Sequence, residues 1–329
     1  MLFRNTIRHL RKLLLLFLSK LHNMSTEKTL FTALPNEIVY WIFEFLNTSD
    51  IMKAFVQLNY RYRDVVRHYV KHIDLIDSWQ IYRSELQYIC QSVESVKVDR
   101  YGLDLFTNYQ FPQLHSLFLI NVVHWEKLLR HMSLQNLKIW FQSDDDDYDD
   151  SRTPSFGKYR SLPLTIRRFS SNGWFNPTYC HENLTHLNVY VSGIWNLLEI
   201  TERTRNIQHL SVHFNRNFNT WGKDTDDAKN NFESVTTKFQ RLSNLNSIAF
   251  TTMNSTREYN CNEAFPFYQL QLFIDNCCPK KAILKKVTLQ LLNISFNEEV
   301  WSIIQQYKNT FDSFNVYILF GTKDNLEKN

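Results

Sequence analysis

Glycine is scarce in this chain, with six residues in 329 at Gly102, Gly157, Gly173, Gly193, Gly222 and Gly321. Phosphate-cradling loops of the P-loop or G-x-G-x-x-G kind need clustered glycines so that backbone amides can approach the phosphates. No two of these glycines lie close enough, which excludes that class of nucleotide binder. Cysteine is also sparse. The five residues Cys90, Cys180, Cys261, Cys277 and Cys278 are odd in number and show no C-x-x-C spacing, and the adjacent last pair is poorly placed to bridge itself. A reduced compartment and no zinc-ligand set are expected. Catalytic signatures are missing too: eleven histidines are scattered, and neither G-x-S-x-G nor H-E-x-x-H occurs. Cys180 and His181 are neighbours, but catalytic pairs are normally brought together by the fold and not by adjacency. The expectation is a protein that is not an enzyme, without catalytic residues, bound metal or cofactor.

Charge of one sign is not in excess either. Lys and Arg number 37 against 33 Asp and Glu, a formal +4, with both signs interspersed, so nucleic acid is not an implied partner. Leu13 to Leu18 is a conspicuous apolar run, far short of the ~20 residues that cross a bilayer. It sits in a basic, acid-free stretch with Arg4, Arg8, Arg11 and Lys12, so residues 1–28 read as a basic amphipathic tail. A mitochondrial presequence is the alternative, and translation from Met24 is another.

What the chain does have is apolar and aromatic side chains, 43% and 15% of it respectively. That is ample to offset the entropy of folding and argues for a globular protein. Residues 29–75 read as a three-helix module. Pro35 suits a first helical position and Glu37 a first turn, so a first helix is expected from Pro35 to Leu46. Asn47 to Asp50 break it and offer a cap to a second helix from Asp50 to about Leu58, and Asn59 can cap a third reaching past Val66. Between Ile38 and Leu46, Glu44 is the one charged residue, so the first helix is greasy on every side. A helix of that kind must be covered all round, and a unit of about forty residues cannot enclose it unaided.

The segment resembles an F-box, the motif by which substrate receptors dock on the small adaptor of cullin-type ubiquitin ligases. The likeness runs through Leu34-Pro35, Glu37-Ile38, Ile42-Phe43, Leu46 and Asp50-Ile51, with Phe55 and Leu58 following. It departs at Asn59-Tyr60-Arg61-Tyr62, where the family usually has a Cys-Lys/Arg-x-Trp-like stretch. The resemblance implies that Leu34, Pro35, Ile38, Ile42, Phe43, Leu46 and Ile51 face the adaptor.

Residues 76–329 follow a different rhythm, apolar-x-x-apolar-x-apolar, as in Val93-Val96-Val98, Leu114-Leu117-Leu119, Leu134-Leu137-Ile139, Leu184-Leu187-Val189, Ile207-Leu210-Val212, Leu245-Ile248-Phe250, Leu284-Val287-Leu289 and Phe311-Phe314-Val316. The closing alternation marks a strand. Helical stretches lie between, at 79–90, 125–132, 194–203, 232–242 and 298–307. Unit starts some twenty residues apart resemble degenerate leucine-rich repeats, whose parallel strands would line one binding face. An acidic insertion at 143–155 holds Asp144 to Asp147, Asp149 and Asp150. Unbroken aspartates without a glycine turn and closing Glu read as a solvated loop and not as a calcium site.

The fold expected is therefore α/β, an N-terminal three-helix F-box-like module followed by an irregular leucine-rich-repeat-like α/β solenoid. The function the resemblance implies is a substrate-recognition subunit of a cullin-RING (SCF-type) ubiquitin ligase in the cytoplasm or nucleus. Its partners would be the adaptor, a cullin through it, and a target protein bound by unspecified repeat residues. A non-ligase scaffold whose helices pack on its own repeats is the rival, and a hydrolase in a divergent α/β fold is a third possibility.

Overall fold

The computed structural model describes residues 34–76, 79–122, 125, 129, 132–141, 162–175, 179–191, 194–214, 242–253, 286–292, 298, 301, 302, 305 and 316–321. The basic tail and the acidic insertion lie outside them, as do most residues of the helical stretches expected at 125–132, 232–242 and 298–307. The chain is α/β with parallel strands, and it divides into two compact units, Met1–Leu134 and Gln135–Asn329.

Among the described residues the first unit begins with helices α1 (Asn36–Phe43), α2 (Thr48–Phe55) and α3 (Tyr60–Tyr69). Pro35 occupies the position before α1 and not its first turn, with Val39 N–H donating to the Pro35 carbonyl at 3.2 Å. The caps of the other two helices are asparagines. Asn47 Oδ1 accepts from Asp50 N–H at 2.8 Å, so α2 starts earlier than expected, and Asn59 Oδ1 accepts from Tyr62 N–H at 3.0 Å. Each such cap is worth about 1 kcal/mol. The module's core is aromatic: the Phe43 ring meets Phe55 at 4.8 Å and Tyr69 at 5.0 Å between centroids. Tyr62, standing where the F-box pattern favours Trp, is fully buried against Phe55, and burial pushes its hydroxyl pKa above the usual value, with Arg61 opposing the shift.

Strand β1 (His72–Asp74) follows directly, then α4 (Trp79–Ile89) with a 3-10 turn Cys90–Ser92, β2 (Ser95–Asp99), α5 (Leu103–Asn108) and β3 (Ser116–Ile120). Both β1 and α5 are additions to the elements expected from sequence. β1 obeys the repeat rule, with Val70, Ile73 and Leu75 all buried, but it hides in the stretch assigned to the helical module. β1 pairs with β2 and β2 with β3, all parallel.

The second unit contains β4 (Asn136–Trp140), β5 (Arg168–Trp174), β6 (His186–Val191), α6 (Ile194–Arg203), β7 (His209–Phe214), β8 (Ser247–Met253), β9 (Lys286–Leu292) and β10 (Val316–Gly321). From β4 to β10 each strand pairs in parallel with the next one in sequence. Leu187 and Val189, Leu210 and Val212, and Ile248 and Phe250 all turn inward, so the apolar spacing marks the core face, as the alternation of a strand requires. Two expectations need correction. β5 escaped the pattern because its third position is Ser171, a buried serine whose Oγ accepts from Gly173 N–H at 2.9 Å. In the last unit, Val316 pairs with Val287, so Val316 holds the middle apolar position and the reading Phe311-Phe314-Val316 was two residues early.

At strand entry one carbonyl accepts two successive amides of the next strand. The Gln135 carbonyl takes Arg167 and Arg168, Arg167 takes Thr185 and His186, Thr185 takes Gln208 and His209, and Gln208 takes Asn246 and Ser247. Asparagine side chains bind the turns before these strands: Asn183 Nδ2 donates to the Leu164 carbonyl at 2.8 Å and Asn206 Nδ2 to the Glu182 carbonyl at 2.7 Å.

Gly102 shows how tightly α5 is seated. A Cβ there would lie 2.9 Å from the Leu75 carbonyl oxygen and 3.0 Å from Val98 Cγ2, contacts that force backbone to move. Gly102→Ala is expected to destabilise the protein by about 1–3 kcal/mol through overpacking, measured by urea unfolding; unchanged stability would show that α5 has room to shift.

Candidate interaction surfaces

Helix α1 ends at Phe43, short of the expected Leu46, and together with the turn that follows it carries two apolar stripes. Val39, Phe43 and Leu46 are buried in the module's core, together with Ile51 of α2. The opposite stripe is Ile38, Trp41, Ile42 and Phe45, at the i, i+3, i+4, i+7 spacing of one helix face. Ile38 is 43% exposed and Trp41 60% exposed, while Ile42 and Phe45 are partly covered. The Trp41 and Phe45 rings meet edge to face at 5.2 Å, forming an apolar ridge on the outside of the module.

Arg61 of α3 holds the start of this surface. Its guanidinium donates to the Leu34 carbonyl and to Asn36 Oδ1, at 2.7 Å from Nη2 and 3.2 Å from Nε, which fixes the Leu34-Pro35 turn at the end of the ridge. Leu34 is half-buried and Pro35 exposed. Of the seven residues named from the F-box pattern, four therefore lie on or beside the ridge, and Phe43, Leu46 and Ile51 line the core beneath it. Trp41 and Phe45 were missed, although their spacing from Ile38 was readable.

A second surface belongs to the second unit, whose strands present alternate residues away from the core. In register across β5 to β9 run Arg168, His186, His209, Ser247 and Lys286; the next row is Ser170, Asn188, Ser211, Ala249 and Thr288. A third row brings Tyr190 beside His213 and His213 beside Thr251. The binding face was expected from the repeat pattern, but its residues were not named; the alternations His186-x-Asn188-x-Tyr190 and His209-x-Ser211-x-His213 carried that signal.

Two histidines of this face, His186 and His213, are pushed toward the neutral form by their surroundings. His186 and His209 stack at 4.2 Å. The Thr185 hydroxyl donates to the Arg167 carbonyl at 3.1 Å, so its oxygen accepts from His186 Nδ1–H at 2.9 Å. Burial lowers the His186 pKa, and the charges of His209 and Arg168 add to the effect. His213 stacks on Tyr190 at 4.8 Å and donates from Nε2 to Asn188 Oδ1 at 2.8 Å. Its Nδ1 is shut off from water without a hydrogen-bond partner, so a proton added there would have no acceptor, and burial pushes the pKa down to about 4.

Cys180 is exposed, whereas His181 is buried beside the Phe175 ring, so the structure does not bring this pair together on one surface. Among the described residues no group of three or more His, Cys, Asp or Glu is placed to hold a metal ion, and no helix is long and apolar enough to cross a membrane. No protein-family model, curated protein or solved structure matches the chain.

A histidine with a depressed folded pKa binds fewer protons folded than unfolded between the two values, so its stabilisation is full above about pH 6.5 and fades as pH falls toward 4. For His213 the loss is at most about 3 kcal/mol. His213→Gln keeps a donor for Asn188 and removes the titration. Urea unfolding at pH 7 and pH 4.5 is expected to show a smaller difference for this variant than for the wild type; equal differences would mean that His213 does not titrate as its surroundings imply.

Proposed function

We propose that this chain is the substrate-recognition subunit of a cullin-RING (SCF-type) ubiquitin ligase. The observation that carries the reading is the exposed ridge of Ile38 and Trp41 on a helix whose other stripe is already buried. Exposed aromatic and aliphatic side chains contiguous on one helix face mark a surface made to be covered. The ridge falls on the segment whose residues Leu34 to Ile51 resemble an F-box, and Arg61 holds its Leu34-Pro35 end in place. The adaptor would cover the ridge, with the cullin reached through it. Ubiquitin transfer would take place on other subunits, with this chain only positioning the target, in the cytoplasm or nucleus.

Sequential pairing of parallel strands, with the apolar positions of most of them in register, supports reading the segments after the helices as an irregular leucine-rich-repeat-like solenoid. Its open sheet face is the place for a target protein.

The scaffold reading, in which the helical module packs on its own repeats, has a specific observation in its favour. Gln57 Nε2 donates to Glu85 Oε1 at 2.9 Å, Arg67 Nε donates to the Tyr88 carbonyl at 2.9 Å, and the Arg63 guanidinium lies 4.1 Å from the centre of the Tyr88 ring. These contacts join α3 and the turn after α2 to α4. They leave Ile38 and Trp41 uncovered, and for that reason the docking reading is preferred.

The test uses purified cullin-ligase adaptor and the full chain with Ile38→Asp and Trp41→Asp together. Both positions are exposed, so the melting temperature is expected to stay close to that of the wild type. Two charges in a desolvated contact cost several kcal/mol, enough to abolish a micromolar complex. Lys53→Ala, on the exposed side of α2, is expected to bind normally. A wild-type chain that fails to bind adaptor, or a double variant that binds as well as wild type, would remove the reading's main support.

A further inference from the structure

The open sheet face of the second unit differs from the ridge on α1 in being polar and of one charge sign. Lys138, Arg168 and Lys286 are all exposed, on β4, β5 and β9. Lys138 is in register with Ser170, one row in from Arg168. Among the described residues of β4 to β10, none is an Asp or Glu. The described acids of this unit, Glu182, Glu199, Glu202 and Glu298, are on turns and helices instead. Between the basic row and the third row runs the row of small residues Ser170, Asn188, Ser211, Ala249 and Thr288, each partly open to solvent.

We propose that this face binds an extended acidic segment of a partner protein, laid across β5 to β9 along the row of small side chains. Charge and size both point to that occupant. Five strands about 4.8 Å apart span about 19 Å, the reach of about six extended residues. Small side chains let a peptide backbone approach the sheet, while the Ser170, Ser211 and Thr288 hydroxyls and the Asn188 amide can bond to it. Arg168 and Lys138 at one end and Lys286 at the other hold fixed positive charge against carboxylates. The cations are far apart and few, unlike the dense row that a run of nucleic-acid phosphates would call for. The inference adds the target side to the ligase reading, and binding at this face needs no adaptor.

The experiment is fluorescence anisotropy of the full chain with a fluorescein-labelled eight-residue peptide of alternating Ser and Glu. Saturable one-to-one binding is expected, weakening as salt rises. Arg168→Glu combined with Lys286→Glu is expected to weaken it by at least about tenfold. Arg205→Glu, on the exposed turn between α6 and β7 and outside the rows of the face, is expected to change it by less than about twofold. Absence of binding, equal loss in Arg205→Glu, or tighter binding of an oligothymidine of the same length would overturn the proposal. Adaptor binding measured on the same wild-type chain separates the two readings. If it persists while peptide binding is absent, only the acidic-segment proposal falls; if peptide binds and adaptor does not, only the ligase reading falls.

Discussion

A parallel strand cannot satisfy its own backbone, and in each unit of this chain the described partner of a strand is the next or the preceding strand in sequence. The carbonyl that opens one strand takes two amides of the following one, so each segment is finished by its successor. Buried backbone groups left without such partners would each cost about 1–3 kcal/mol, which makes the register as much a requirement as the apolar pattern. The inward residues then fall into a common core layer, and the outward ones align as rows. The basic row and the small-residue row of the second unit exist because register places side chains far apart in sequence, such as Arg168 and Lys286, on one face.

The helical module meets the opposite constraint. With both stripes of α1 apolar, a small three-helix unit has core enough for one, and Phe43 takes its place among Phe55, Tyr62 and Tyr69 at the expense of Ile38 and Trp41. Burying both stripes internally would need more chain on the outer side of α1. The contacts that α3 and the turn after α2 make with α4 face elsewhere. The module is thereby complete as a folded unit and incomplete as a surface, and that asymmetry, on a segment resembling an F-box, is why adaptor docking is the favoured reading.

Much of this was legible in the sequence. Asn59 announced one helix start, the Asn47 to Asp50 cluster placed another two residues late, and the apolar spacing located most of the strands. What escaped has physical reasons. Ser171 sits where the pattern wants a large apolar residue, so β5 was invisible to it. Val70, Ile73 and Leu75 fit the pattern but adjoin α3, where a helical reading absorbed them. Val316 was displaced because Phe311 and Phe314 offer the same spacing two residues early, and pairing with Val287 decides between the two. On α1 the composition said that every side was greasy but could not say which side the module would keep; packing around Phe43 made that choice.

The most direct measurement is hydrogen–deuterium exchange on the full chain, alone and with purified cullin-ligase adaptor. If the ridge on α1 is the docking surface, the adaptor will slow exchange across residues 34–46 and leave the strand amides of β6 to β8 unchanged. No protection of residues 34–46 in the presence of saturating adaptor, or protection confined to the strands, would contradict the docking of this helix on a ligase adaptor.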